Sequence, residues 1–156
     1  MKTNTGSFLA WCAVVLTGAS LDAAEPSKPT TVSIASVSVV PTKWDKEVNS
    51  GTIERMVRDA ARRGARLVIT PEGALEGYVV NEVIREKDAD KKAQLTERFR
   101  NLAEPIGGPY IARLRKLADE LDIYLILGFL EAEGEKTFNT AVLIGPDGRI
   151  VGKYRK

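Results

Sequence analysis

A sequence of 156 residues, 44% apolar and 28% charged, has room for one domain with a sizeable core, and this composition excludes the disordered and fibrous classes. A formal net charge of +2, with both signs spread along the chain, is no nucleic-acid signature. The sequence has no histidine and one cysteine, Cys12, so chemistry built on imidazole or on several thiols is absent from it.

Lys2 precedes an apolar run from Phe8 to about Leu16, and small residues follow at Ala19-Ser20 and Ala23-Ala24. This is the layout of an export signal, and residues 1–23 are expected to be removed, giving a periplasmic or secreted protein. The run is about ten residues, short of the about 20 that a membrane span needs, so no span is expected in the mature chain. Removing Lys2 and Asp22 takes one charge of each sign and leaves the balance at +2. It also removes Cys12, which leaves no Ser-His-Asp or Cys-His site, no zinc site built on imidazole or thiolate and no disulfide.

After a spacer at 24–30, the β-branched segment Thr31–Val40 reads as a buried strand that Pro41 ends. From Asp45 to Arg63 the apolar residues Val48, Ile53, Met56, Val57, Ala60 and Ala61 recur at helical spacing, and Gly64 suits a left-handed C-terminal position. Arg62, Arg63 and Arg66 are read as the solvated end of that helix rather than a phosphate patch. The short strand Arg66–Thr70 follows, and strand, helix, strand implies a parallel crossover.

The loop Pro71–Tyr78 leaves that strand directly. Residues from about Asn81 to Leu102 form a charged helical excursion, where Asp88 and Asp90, flanked by lysines, read as solvated surface rather than metal ligands. Pro109 opens a second covering helix with the stripe Ile111, Leu114, Leu117, Ala118 and Leu121. Ile123–Phe129 is a third buried strand, and Thr140–Ile144 pairs with Arg149–Tyr154 across the turn Pro146-Asp147-Gly148.

Ligands of open α/β sheets bind at the carboxyl ends of strands, which singles out Glu72. A carboxylate partly shut away from water there would have its charged form disfavoured and would accept a proton near neutral pH, whereas an ordinary loop acid would only bind backbone N–H groups.

Read together, several segments resemble the nitrilase or carbon-nitrogen hydrolase superfamily. They are the first strand, Asn49 and the alanine-rich helix, Leu67-Val68-Ile69-Thr70-Pro71-Glu72 with Gly77-Tyr78, Leu127–Glu131, Phe138–Ala141, Pro146-Asp147-Gly148 and Gly152–Lys156. The resemblance covers residues 31–156 and implies an α/β fold, specifically an incomplete four-layer α-β-β-α sandwich of the nitrilase type.

It also implies a Glu-Lys-Cys triad hydrolysing nonpeptide C–N bonds in a small amide, nitrile or carbamoyl substrate. Glu72 matches the general base and Lys156 the lysine that stabilises the developing anion, while Glu131 and Asn139 match positions read as structural, closing loops near the site. The family's cysteine lies on a later strand-to-helix turn, so this chain is expected to end before the nucleophile and to be inactive alone. Neither a cofactor nor a metal is expected, and the family suggests a homo-oligomer. The competing expectation is an exported, noncatalytic binding module built on half the fold.

Overall fold

The computed structural model describes residues 31–156. The expected signal segment 1–23, the spacer 24–30 and Cys12 lie outside the described residues. The chain forms a mixed sheet with helices packed on one face. Its elements are β1 (Ile34–Ser36), α1 (Lys46–Arg62), β2 (Leu67–Ile69), α2 (Val80–Arg85), α3 (Ala89–Leu102), β3 (Glu104–Pro105), α4 (Pro109–Leu121), β4 (Tyr124–Glu133), β5 (Lys136–Ile144) and β6 (Ile150–Arg155).

The strands lie in the order β1-β2-β4-β5-β6. β1, β2 and β4 run parallel, joined by helical crossovers, and β4, β5 and β6 run antiparallel through short turns. β3, absent from the sequence reading, pairs with β4 at Glu131 and Ala132.

Helix boundaries follow local chemistry. The Asp45 side chain accepts a hydrogen bond from Val48 N at 3.0 Å and caps α1, and Gly64 takes φ 87° beyond its other end. Pro109 opens α4, and Asp122 closes it in the left-handed conformation. The acidic side chain of Asp88 caps α3 by accepting from Lys91 N at 2.9 Å. Arg62 and Arg63 pair with Asp59, and Arg66 with Asp122, on the surface as expected of a solvated helix end.

The core lies between the sheet and the α1–α4 layer. Ile53, Val57 and Ala60 of α1 meet Ile111, Leu114 and Leu117 of α4 over Val68, Leu125, Leu127, Val142 and Ile144. Val48, assigned to the apolar stripe from its spacing, is half exposed instead, because the buried stripe of α1 runs through Asn49, Ser50, Ile53, Val57 and Ala60 and Val48 lies beside it.

Strand geometry sends alternate side chains to the opposite face. There the register sets Ile34 beside Leu67 and Tyr124, and Ile69 beside Ile126 and Leu143. These are only partly covered, with Ile34 at 59% and Tyr124 at 44% exposure, while their helix-facing neighbours Val68, Leu125 and Leu127 are fully buried. Residues 31–156 thus form a helix layer and a sheet, two of the four layers expected, with one sheet face open. The first strand covers three residues, Ile34–Ser36, of the ten expected. β4, paired on both sides, runs on to Glu133.

Candidate active site

The site is built around the loop between β2 and α2. Four ties fasten that loop to the sheet and to α1. Thr70 Oγ1 accepts from Gly128 N at 3.0 Å, and Ala74 N donates to Gly128 O at 3.0 Å. Glu76 Oε2 accepts from Leu130 N at 3.0 Å. The buried Asn49 side chain donates to Leu75 O at 2.9 Å and Thr42 O at 2.7 Å, and accepts from Thr42 N at 2.7 Å.

Two glycines permit this packing. A Cβ on Gly128 would stand 2.5 Å from Pro71 O and 2.9 Å from Glu72 Cα, so only a bare backbone lets the loop rest on β4. At Gly77, φ is 91° and a Cβ would meet Lys43 Cα at 2.7 Å. The loop is therefore rigidly placed, and Glu72 with it.

The Glu72 carboxylate accepts hydrogen bonds from Asn139 Nδ2 and from Lys156 Nζ, the latter 3.2 Å from Oε1. Asn139 sits on β5, and Lys156 follows β6, its backbone N–H donating to Asn139 O at 3.0 Å. The three residues border a cleft of about 200 Å³ on the open face of the sheet, beside Ile126, Gly128 and Tyr154. The two residues singled out as catalytic from the sequence are thus brought together.

Their electrostatics differ from the expectation for Glu72. Its side chain is 40% exposed, and the Asn139 hydrogen bond, with the Lys156 ammonium, outweighs burial and holds its carboxyl below the usual carboxylate range. Glu72 is ionised at neutral pH rather than poised to titrate there. Lys156 is correspondingly held above the usual range by Glu72, so the pair is an anion and a cation.

Alternation along β6 puts Lys153 and Arg155 on the other side, as the spacing predicts. There they bind Glu131, which is 1% exposed. Lys153 Nζ lies 3.0 Å and Arg155 Nη2 2.7 Å from Oε1, and Arg155 Nε and Thr140 Oγ1 donate to Oε2 at 2.8 and 2.7 Å. These donors, Arg155 first, hold the Glu131 carboxyl down to about 2. The Arg155 guanidinium also stacks on the Phe138 ring, 3.9 Å from its centroid. Glu131, on β4, is thus tied to β5 and β6 through Thr140, Lys153 and Arg155. It locks β6 from behind, and Lys156 is presented in front.

Asn139, read from the sequence as structural and near the site, donates to Glu72 itself. Its period-two phase with Ala141 and Leu143 was the available signal, because it sets Asn139 on the open face. Glu76, buried beside Glu72, was not singled out from the sequence at all. Among the described residues no group of three His, Cys, Asp or Glu is arranged to hold a metal ion, and no helix is long and apolar enough to cross a membrane.

The sequence pattern of a family described as carbon-nitrogen hydrolase matches residues 33–156. An N-carbamoylputrescine amidase of Oryza sativa subsp. japonica is 32% identical over 125 residues, covering 80% of this chain and 38% of the relative. A bifunctional nitrilase/nitrile hydratase of Lupinus angustifolius is 31% identical over 116 residues, covering 72% of this chain and 33% of the relative. The crystal structure of an amidase from Nesterenkonia sp. superposes with a TM-score of 0.60 at 25% identity, over 80% of this chain and 42% of that one. The chain therefore spans between a third and somewhat over two-fifths of the length of these relatives.

Proposed function

Since the chain belongs to the carbon-nitrogen hydrolase family, we propose that Glu72 and Lys156 serve the hydrolysis of a nonpeptide C–N bond in a small amide, nitrile or carbamoyl substrate. The observation that carries this reading is the meeting, at 3.2 Å, of a carboxylate and an ammonium 84 residues apart, at a cleft on a sheet face. The relatives named for nitriles, for an amide and for a carbamoyl amine support the breadth of the substrate class.

In this reading Glu72 takes the proton of an attacking thiol, and sulfur bonds to the substrate carbon. Lys156 stabilises the negative charge that develops on the carbonyl oxygen or nitrile nitrogen. For an amide, the C–N bond then breaks and the amine leaves with the proton that Glu72 took from the thiol. Glu72, ionised again, draws a proton from water, whose oxygen displaces sulfur and releases the acid, and the proton returns to the sulfur. The thiol belongs to a cysteine carried by polypeptide other than residues 31–156, which contain none.

Glu72 is already in its proton-accepting form. Covering the half-exposed pair would strip water from the carboxylate and raise its basicity toward the thiol. The N-terminal pattern of Lys2, Phe8–Leu16 and Ala23-Ala24 supports export, for which N-terminal sequencing of the mature protein is the check.

The test of the catalytic reading is ammonia release from short amides and nitriles by the protein in its cysteine-bearing full-length form. Glu72→Gln and Lys156→Met are each expected to lower kcat by about a thousandfold or more, with the circular dichroism spectrum unchanged. Near-normal turnover in either variant removes that residue from the mechanism.

A further inference from the structure

Three glutamates are deeply buried: Glu104 at 3% exposure, Glu131 at 1% and Glu76 at 6%. Two of them hold cations of their own. Lys46 reaches Glu104 at 2.6 Å, while Lys153 and Arg155 reach Glu131. Glu76 differs, since among the described residues no cation lies within ion-pair distance of it. The charge of Lys46 is felt there, but its ammonium is committed to Glu104.

A buried carboxylate without a counter-ion is costly, and the Leu130 N–H bond to Glu76 only partly offsets the lost hydration. Burial accordingly pushes the Glu76 carboxyl above its ordinary range. Glu76 nevertheless borders a cavity of about 260 Å³ together with Tyr78, Val80, Phe99, Leu130, Thr137 and Asn139.

Asn139 also borders the cleft that holds Glu72 and Lys156, so the two spaces adjoin at that residue. A substrate with its C–N bond at Glu72 would extend past Asn139 between apolar and aromatic walls toward the Glu76 carboxylate. The space is below the roughly 300–1,000 Å³ of ordinary ligand pockets, which suits a short linear tail. Aromatic faces beside a carboxylate are a favourable surrounding for a compact organic cation.

We propose that this cavity is a subsite for the far end of the substrate, taking a primary ammonium group on a short aliphatic tail with Glu76 as its counter-ion. The proposal rests on Glu72 and Lys156 being the reacting end, and it adds a preference for cationic over neutral amides.

Two measurements on the full-length protein test it. In calorimetry, butylamine and 1,4-diaminobutane are expected to bind and 1-butanol to bind more weakly. Glu76→Gln, which keeps the size and an oxygen for Leu130 N–H, is expected to weaken amine binding by about tenfold or more. In turnover, the ratio of kcat/KM for an ω-amino amide over its neutral isostere is expected to fall by about tenfold or more in the same variant.

Equal losses for cationic and neutral compounds would make Glu76 only a tie for the loop and overturn the subsite, as would wild-type protein that fails to bind either amine. If no amide is hydrolysed at all, the catalytic reading fails, and calorimetry still decides the subsite. Should Glu76→Gln not fold, Phe99→Ala replaces it, and unaltered amine binding in that variant overturns the proposal.

Discussion

Replacing Glu131 by glutamine should unlock β6 from behind, and the size of the effect follows from the carboxyl's surroundings. Glu131 is 1% exposed, accepts from Thr140, Lys153 and twice from Arg155, and has its carboxyl lowered from the ordinary 4.5 to about 2. Because the folded value is the lower one, the stabilisation is fully present above the unfolded value and disappears as pH falls through the folded one. The interval corresponds to about 3 kcal/mol at pH 7, shrinking to about 1 kcal/mol at pH 3. Urea unfolding of the full-length protein and its Glu131→Gln variant, followed by far-UV circular dichroism, should therefore give a stability gap of about 3 kcal/mol at pH 7 and about 1 kcal/mol at pH 3. A gap below about 0.5 kcal/mol at pH 7, or one that does not change with pH, would refute the view that this carboxylate anchors the strand.

Gly128→Ala should push Pro71 and Glu72 off β4, at a cost of about 1–3 kcal/mol in unfolding experiments, and should lower kcat more than it raises KM. Residues 31–156 expressed alone should bind a hydrophobic dye and self-associate on size-exclusion chromatography, because Ile34 and Tyr124 are exposed and Leu67, Ile69 and Ile126 only partly covered on one sheet face. A compact monomer with little dye binding would mean that this face is stable in water. Asn139→Ala should raise the Glu72 carboxyl toward its ordinary range, since Asn139 is the largest cause of its depression, and nuclear magnetic resonance titration of Glu72 reads this directly. An unmoved titration would show that Lys156 alone sets it.

Much of the scaffold was legible because it depends on local periodicity. The spacing of Ile53, Val57 and Ala60, and of Ile111, Leu114 and Leu117, places both helices over one sheet face, and Asp45, Gly64 and Pro109 mark helix ends through their own chemistry. Strand lengths were less legible, since pairing partners decide them. β1 covers three of the ten residues expected, and the two-residue β3 is defined by its pairing with Glu131 and Ala132.

The candidate site divides the same way. Glu72 could be ranked from its place after a strand, but its encounter with Lys156 was suggested only by resemblance. The charge state of Glu72 depends on Asn139, a residue 67 positions away, and no local pattern encodes that contact. Glu76 stayed hidden because its neighbours in sequence say nothing of the cavity beside it.

The helical excursion contributes no buried side chain from either α2 or α3. Its attachment is a surface cluster in which Glu82 meets Lys43 and Trp44, and Arg98 lies 4.4 Å over the Trp44 ring. The Glu72 loop, by comparison, is fixed at four points to the sheet and α1. Mutation can therefore act on the two segments at very different rates. α3 can change length or sequence, and with it the Phe99 wall, without disturbing a buried side chain of its own, whereas a change at one of the loop's ties bears directly on where the carboxylate stands. A lineage built on this scaffold would diversify what it recognises through the excursion and keep its chemistry fixed.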